Sequence, residues 1–234
     1  MIKLENFAVR GLDAAVRGMR NPMNSWDNSD STFGVSTYWD DENQLEYERD
    51  VDYLGENDLQ LMKSLVGAGS DHRKFMRFII VTVDITAPLY FWKEFDTYKV
   101  GTVSNSCSTM HKIHEKEFTI DDFSHEHLTN MFEESFSYSE NVLYVCNGIG
   151  MLKNTVEILN RFRTNYIMTK DKKFWWQMIQ LLPSSYNQRR TVLLNYEVLF
   201  NIYHARKNHK LDEWQHFCEW IDSLPYADEL ISEV

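Results

Sequence analysis

The chain has 234 residues, 43% hydrophobic and 14% aromatic, with only 4 Pro and 9 Gly. This is ample material for a dense core and excludes a disordered polypeptide, so a single domain over residues 1–234 is expected. Against 24 basic residues stand 35 acidic ones, a formal net charge of -11, which excludes general affinity for nucleic-acid backbones or anionic membranes but leaves room for a small anion in a local basic pocket.

Ile2 to Val9 is expected as a short strand, followed after Gly11 by a helix over Leu12 to Arg20 that Pro22 ends. Asn21 to Gly34 reads as a polar loop. From Asp40 to Asp58 nine acidic residues accompany one base, Arg49, and residues 36–57 are therefore expected as a solvated surface excursion. Asn57 is a plausible N-cap for a helix to about Ala68 that Gly69 stops. Phe78 to Thr86 alternates β-branched residues as a strand does, and Pro88 suits the first turn of a helix from Leu89 to about Tyr98. Gly101 to Thr109 reads as a polar loop with small residues.

The remainder reads as helix. Thr119 and Asp122 form a capping pattern for Thr119 to Phe136, and apolar residues recur at helical spacing from Glu140 to Met168 through Val142, Val145, Leu152, Val156 and Leu159. Helices over Phe174–Leu182, Asn187–Asn208 and Leu211–Ser223 complete the chain. The fold class expected is α+β, a small antiparallel sheet covered by helices with long helices in the C-terminal half. No stretch approaches about 18 successive apolar residues, and no basic run precedes an apolar one at the N-terminus, so a cytoplasmic location is expected.

Few residue patterns point to chemistry. Cys107, Cys146 and Cys218 are too widely spaced for a disulfide framework or zinc ribbon and are expected as reduced, mostly buried thiols, Cys107 as a packing cysteine. The histidine pairs His111/His114, His125/His127 and His204/His209 lack the Glu of a zincin pattern, so no metal is expected. Walker, dinucleotide and nucleophile-elbow fingerprints are absent. Trp175 and Trp176 read as core or interface residues. Arg189, Arg190, Arg206 and Lys207 are the better candidates, because a guanidinium offers a planar fork matched to phosphate. In one straight helix Arg189 and Arg206 share a face but stand about 25 Å apart, so a single ligand for both requires chain reversal or a second subunit.

The chain order resembles that of the flavin-dependent thymidylate synthases, the ThyX family. Leu12 to Arg20, with Ala15-Val16-Arg17 and Arg20, resembles the family's first helix. Ile79 to Ile113 resembles its strand, Ala87-Pro88 turn, helix and signature loop, and Leu182 to Arg206 its late helix. The family signature is R-H-R-x-x-S-x-N-E-x-S-x-R-Y. Here Thr97, Tyr98 and Lys99 stand at R-H-R and Thr102 at the first serine. Ser104-Asn105 or Asn105-Ser106 stands at Asn-Glu, and Thr109-Met110 or Met110-His111 at the closing Arg-Tyr. The resemblance implies that Arg189 and Arg206, with Thr102 and Glu94, meet a deoxyuridylate-like substrate; Glu94 replaces a glutamine. It implies that Tyr98, Lys99 and Asn195 lie by FAD, with Glu197 replacing an arginine. It assigns no catalytic residue. The activity implied is flavin-dependent modification of a pyrimidine deoxynucleotide such as dUMP at base C5, thymidylate synthase-like methyl transfer included. The alternative is an inactive relative that binds, senses or sequesters a nucleotide. Family members are homotetramers with active sites shared between subunits, which would reconcile the separation of the two arginines.

Overall fold

The computed structural model describes residues 2–40, 42–50, 52–129 and 147–234. The expected helical stretches over 130–136 and 140–146, with Val142, Val145 and Cys146, lie outside the described residues.

Strand β1 (Lys3–Arg10) and helix α1 (Leu12–Arg20) meet at Gly11. Its φ is +92° and a Cβ there would lie 2.2 Å from the Phe78 carbonyl oxygen, so only glycine fits. Helix α1 buries Leu12, Ala15, Val16 and Met19, one face at the helical period. The acidic segment holds an antiparallel hairpin, β2 (Val35–Asp40) and β3 (Leu45–Asp50), in which Trp39 pairs with Glu46. The Asp40 carboxylate closes its turn by accepting from the N–H groups of Glu42 and Asn43.

Helix α2 (Glu56–Gly67) is not capped by Asn57, which lies inside its first turn. Asp30 takes that role from a distance, accepting from the N–H of Asn57 at 2.9 Å and of Asp58 at 3.1 Å. Strand β4 (Ile80–Pro88) begins two residues later than expected and buries Val81, Val83, Ile85 and Ala87 on one face. Pro88 is extended and precedes helix α3 (Leu89–Phe95), three residues shorter than expected. The expected loop contains a short strand, β5 (Val103–Ser106), and leads to the single turn α4 (Thr109–Lys112). The Thr119–Asp122 capping box forms, but it closes only the 3-10 turn Ile120–Asp122.

Helices α5 (Gly148–Thr169) and α6 (Lys172–Leu181) are joined at Lys170, in the left-handed conformation at φ 57°. The largest departure follows. The stretch expected as one helix is a strand, β6 (Asn187–Asn195), leading directly into helix α7 (Tyr196–Arg206), and helix α8 (Asp212–Asp222) follows close to expectation. Gln188, Val192 and Leu194 are buried and Arg189 and Thr191 exposed, the period of two that an inward and an outward face impose. The straight-helix separation derived for Arg189 and Arg206 therefore does not apply.

A four-stranded sheet has the order β1-β4-β6-β5 beside the separate β2-β3 ribbon, and the architecture is mixed helix and strand with a small antiparallel sheet. The residues group into two compact units, with β4 and β6 each contributing to both. The first comprises Ile85–Thr97, Asn105–Arg190 and the first residues of the chain. Its core joins Phe118, Phe123, Leu152, Leu159 and Met178, flanked by Trp175 and Tyr186. The second comprises Leu4–Asp84, Tyr98–Ser104 and Thr191–Val234. There α8 buries Trp214, Phe217, Cys218 and Ile221 at helical spacing, and Met62, Met76, Leu194, Tyr196 and Leu199 are fully enclosed.

Candidate functional site

Within the second unit, Arg206 closes the last turn of α7, where a cation complements the helix dipole. Its Nε donates to the Tyr98 hydroxyl at 3.0 Å, and its guanidinium carbon lies 4.9 Å from the centre of the Trp214 ring and 5.8 Å from that of Tyr98. Tyr98 and Trp214 meet edge to face at 6.0 Å. The arginine is half-buried in an aromatic corner, which fixes the plane of its fork.

Three residues on from Tyr98, Gly101 has φ +79°, and a Cβ there would stand 3.0 Å from Asn195 Nδ2 and 3.1 Å from Val198 Cγ2. This close approach holds the 98–104 loop against the start of α7. Thr102 follows, and its Oγ1 is buried with no hydrogen-bond partner among the described residues. An unpaired buried hydroxyl costs about 1–3 kcal/mol, and a ligand atom would relieve that. Asn195 is the N-cap of α7, its Oδ1 accepting from the Val198 N–H at 3.0 Å. Lys99 is exposed.

Glu197, at the position where the resemblance has an arginine, accepts both Nε and Nη2 of Arg77. Arg73 stands 4.0 Å from the same carboxylate and 4.0 Å over the Phe200 ring. The sequence pointed to Glu197 but not to its arginine partners, for which the spacing from Arg73 to Arg77 was the available signal.

In the first unit, the alternation of β6 separates two adjacent arginines. Arg190 is inward, its guanidinium 4.1 Å over the Trp92 ring, donating to Asp96 at 2.6 Å and to the Gln188 amide oxygen at 3.0 Å. Arg189 is exposed, and its carbonyl oxygen accepts from the Cys107 N–H at 2.9 Å. Glu94 is half-buried, and its carbonyl oxygen accepts from the Thr97 N–H and hydroxyl. Tyr98, Lys99, Thr102, Asn195 and Arg206 thus belong to the second unit, and Glu94 and Arg189 to the first. The structure joins Arg206 to Tyr98 and sets Asn195 against the loop that carries Thr102.

Two cavities lie away from these positions. One of about 610 Å³ in the second unit is lined by Val9, Arg10, Asp13, Phe33 and Asp52 among others, and one of about 570 Å³ in the first by Glu117, Glu157, Asn160, Arg161, Thr164 and Asn165. Among the described residues no three His, Cys, Asp or Glu side chains are grouped to hold a metal ion. His204 bonds the Ile231 carbonyl and lies 4.3 Å from the Phe200 ring, and His114 packs at 4.9 Å from Tyr166. Trp175 packs against the first core and donates to the Met110 carbonyl, whereas Trp176 is 44% exposed. Cys107 is exposed, against the expectation of a packing thiol, because β5 ends one residue before it on an open edge of the sheet.

No protein-family model and no curated protein sequence matches the chain. Solved structures do. A flavin-dependent thymidylate synthase ThyX from Helicobacter pylori, complexed with FAD and dUMP, has TM-score 0.60 at 15% identity, covering 99% of this chain and 98% of that one. A second structure of the Helicobacter pylori protein with FAD and dUMP gives TM-score 0.60 at 16% identity, with 99% and 97% covered. The UMP/dUMP methylase PolB from Streptomyces cacaoi, bound with 5-Br dUMP, gives TM-score 0.57 at 13% identity, with 99% and 91% covered. At such identities the likeness is one of fold: the chain has the fold of the ThyX thymidylate synthases over nearly its whole length.

Proposed function

We propose that this protein binds a dUMP-like pyrimidine deoxynucleotide and modifies its base at C5 with a bound flavin. The observation that carries the proposal is the near end-to-end likeness to proteins solved with dUMP or 5-Br dUMP, two of those structures also holding FAD. Arg206, held against Tyr98 and Trp214, and Arg189, exposed on β6, supply guanidinium forks for the nucleotide phosphate. Thr102 supplies a hydroxyl whose desolvation is already met, so pairing it on binding is favourable. Glu94 is anionic and belongs away from the phosphate, at the sugar or base. Assembly as a homotetramer, with more than one copy contributing to each site, completes the proposal.

The loop 98–104 fits FAD in kind: an exposed ammonium at Lys99 for a phosphate and the half-buried Tyr98 ring for stacking. Asn195 would approach it with the amide nitrogen, its oxygen being the α7 cap. A reduced flavin held there would supply hydride chemistry at C5. The chain's own residues then bind the phosphate, orient the base and exclude water, which is the usual division of labour between protein and cofactor.

A second reading, nucleotide binding without turnover, is favoured by Glu197. The glutamate-for-arginine exchange puts a carboxylate, closed by Arg77 and neighboured by Arg73, where the resemblance has a cation. Two measurements decide between them. Protein reconstituted with FAD and freed of excess should keep flavin absorbance and release tritium from 5-tritiated dUMP. Retained dUMP affinity with a colourless protein would select the binding-only reading.

A further inference from the structure

Helix α5 is 22 residues long, and its inward face is settled by Leu152 and Leu159, both buried. On another face, Met151, Asn154, Ile158, Arg161, Asn165 and Met168 are all exposed, Met151 by 52%, Ile158 by 43% and Met168 by 77%. Their spacing alternates three and four residues, the seam of a heptad repeat. A seam is ordinarily buried against another helix, and among the described residues this one faces solvent.

The order of residue types along the seam identifies the occupant. Read from either end it runs methionine, asparagine and then the central pair Ile158 and Arg161, so it is symmetric about the midpoint between Leu159 and Asn160. A second copy of the same helix, laid antiparallel about that midpoint, sets Met151 against Met168 and Asn154 against Asn165. It also sets each Ile158 along the aliphatic stem of Arg161 in the other copy. Each asparagine amide can then donate to and accept from its counterpart, satisfying a polar pair that fixes the register. Glu157, exposed on the seam's flank, comes alongside Arg161 of the other copy. Parallel pairing would instead oppose Arg161 to itself. The cavity of about 570 Å³ bordered by Glu117, Glu157, Asn160, Arg161, Thr164 and Asn165 lies beside this seam.

We propose that α5 is a self-recognition surface at which two copies of this chain associate through antiparallel α5 helices. The interface is isologous, since the same patch serves both partners. It requires only a second copy and stands independently of nucleotide binding.

The test uses the full-length protein. Sedimentation equilibrium should show self-association, and Ile158→Arg, which places a second cation beside Arg161 of each partner, should weaken it by at least about tenfold with the circular dichroism spectrum unchanged. Because one substitution can also disturb folding, cross-linking gives a second measurement. Under mild oxidation the double variant Asn154→Cys/Asn165→Cys should form covalent dimers well above the wild-type level. Asn154→Cys alone should not, because its two copies sit about 16 Å apart along the antiparallel pair, beyond the reach of a disulfide. A monomeric wild type overturns the surface and the proposed tetramer together. Self-association insensitive to Ile158→Arg, or equal cross-linking by the single and double cysteine variants, overturns the surface alone and leaves the nucleotide proposal standing.

Discussion

Asp58 shows how little a residue's neighbours in sequence say about its environment. It ends a run of acidic residues expected to be solvated, yet it is fully buried, bonded to Arg20 Nε at 2.6 Å and to the hydroxyls of Ser29 and Ser31 at 2.6 Å each. Burial by itself would raise its carboxyl pKa; the two serines and Arg20 outweigh that and hold it below the usual carboxylate value. Asp58→Asn leaves Arg20 buried without its countercharge and should cost about 3–5 kcal/mol, read from the urea midpoint at pH 7. The folded-state pKa is depressed, so the stabilisation is present above the unfolded value near 4 and is lost as pH falls through the folded one. The difference between wild type and variant should therefore shrink on acidification to about pH 3. A constant difference would place the stabilisation elsewhere. The cysteines contrast in the same way. Cys218 is buried, and burial with Asp222 and Glu219 nearby pushes its thiol up to about 12. Cys107 is exposed. Iodoacetamide at pH 8 should label Cys107 and spare Cys218 until the protein is unfolded, as peptide mass mapping would show; equal labelling would contradict the burial.

Among the elements, those with punctuation were legible. Gly11, Pro22 and Gly69 bound segments whose limits fall within two residues of expectation, because φ restrictions act locally. Residues 187–208 have neither Gly nor Pro, and their leucines suit a helix as well as a strand, so strand and helix merged into one expected helix. The overlooked signal was Asn195 as an N-cap, with the β-branched pair Thr191 and Val192 shortly before it. What decided for strand was sheet pairing, with β6 lying between β4 and β5, partners far away in sequence. Asn195→Ala should lower stability by about 1 kcal/mol through the lost cap, and Asn195→Asp should restore most of it. A flavin-absorbance change without a stability change would instead make Asn195 a cofactor residue alone. Gly101→Ala meets both a left-handed φ and a 3.0 Å contact with Asn195. It should displace the 98–104 loop at a cost of about 1–3 kcal/mol and weaken dUMP binding, measurable by paired denaturation and calorimetry.

For the whole molecule, chain order was informative where residue motifs were not. The first helix, the strand before Ala87-Pro88 and the late arginines carried the likeness to the ThyX fold, and the structural similarity extends over 99% of the chain. Physically, a fold tolerates substitution at most positions provided the inward faces stay apolar. A binding loop has no such redundancy, which is why a signature that departs as far as Thr97 to Met110 left the site less legible than the architecture. The nominated positions carry contacts that no spacing rule foretells, such as Arg206 on Tyr98 and Trp214. The most direct test is a calorimetric titration of dUMP into the full-length protein, wild type beside Arg189→Ala/Arg206→Ala. Saturable binding that the double variant loses by about a hundredfold or more, the worth of two charge-assisted contacts, is the predicted result. No dUMP binding to the wild type, or unchanged affinity in the variant, would contradict it.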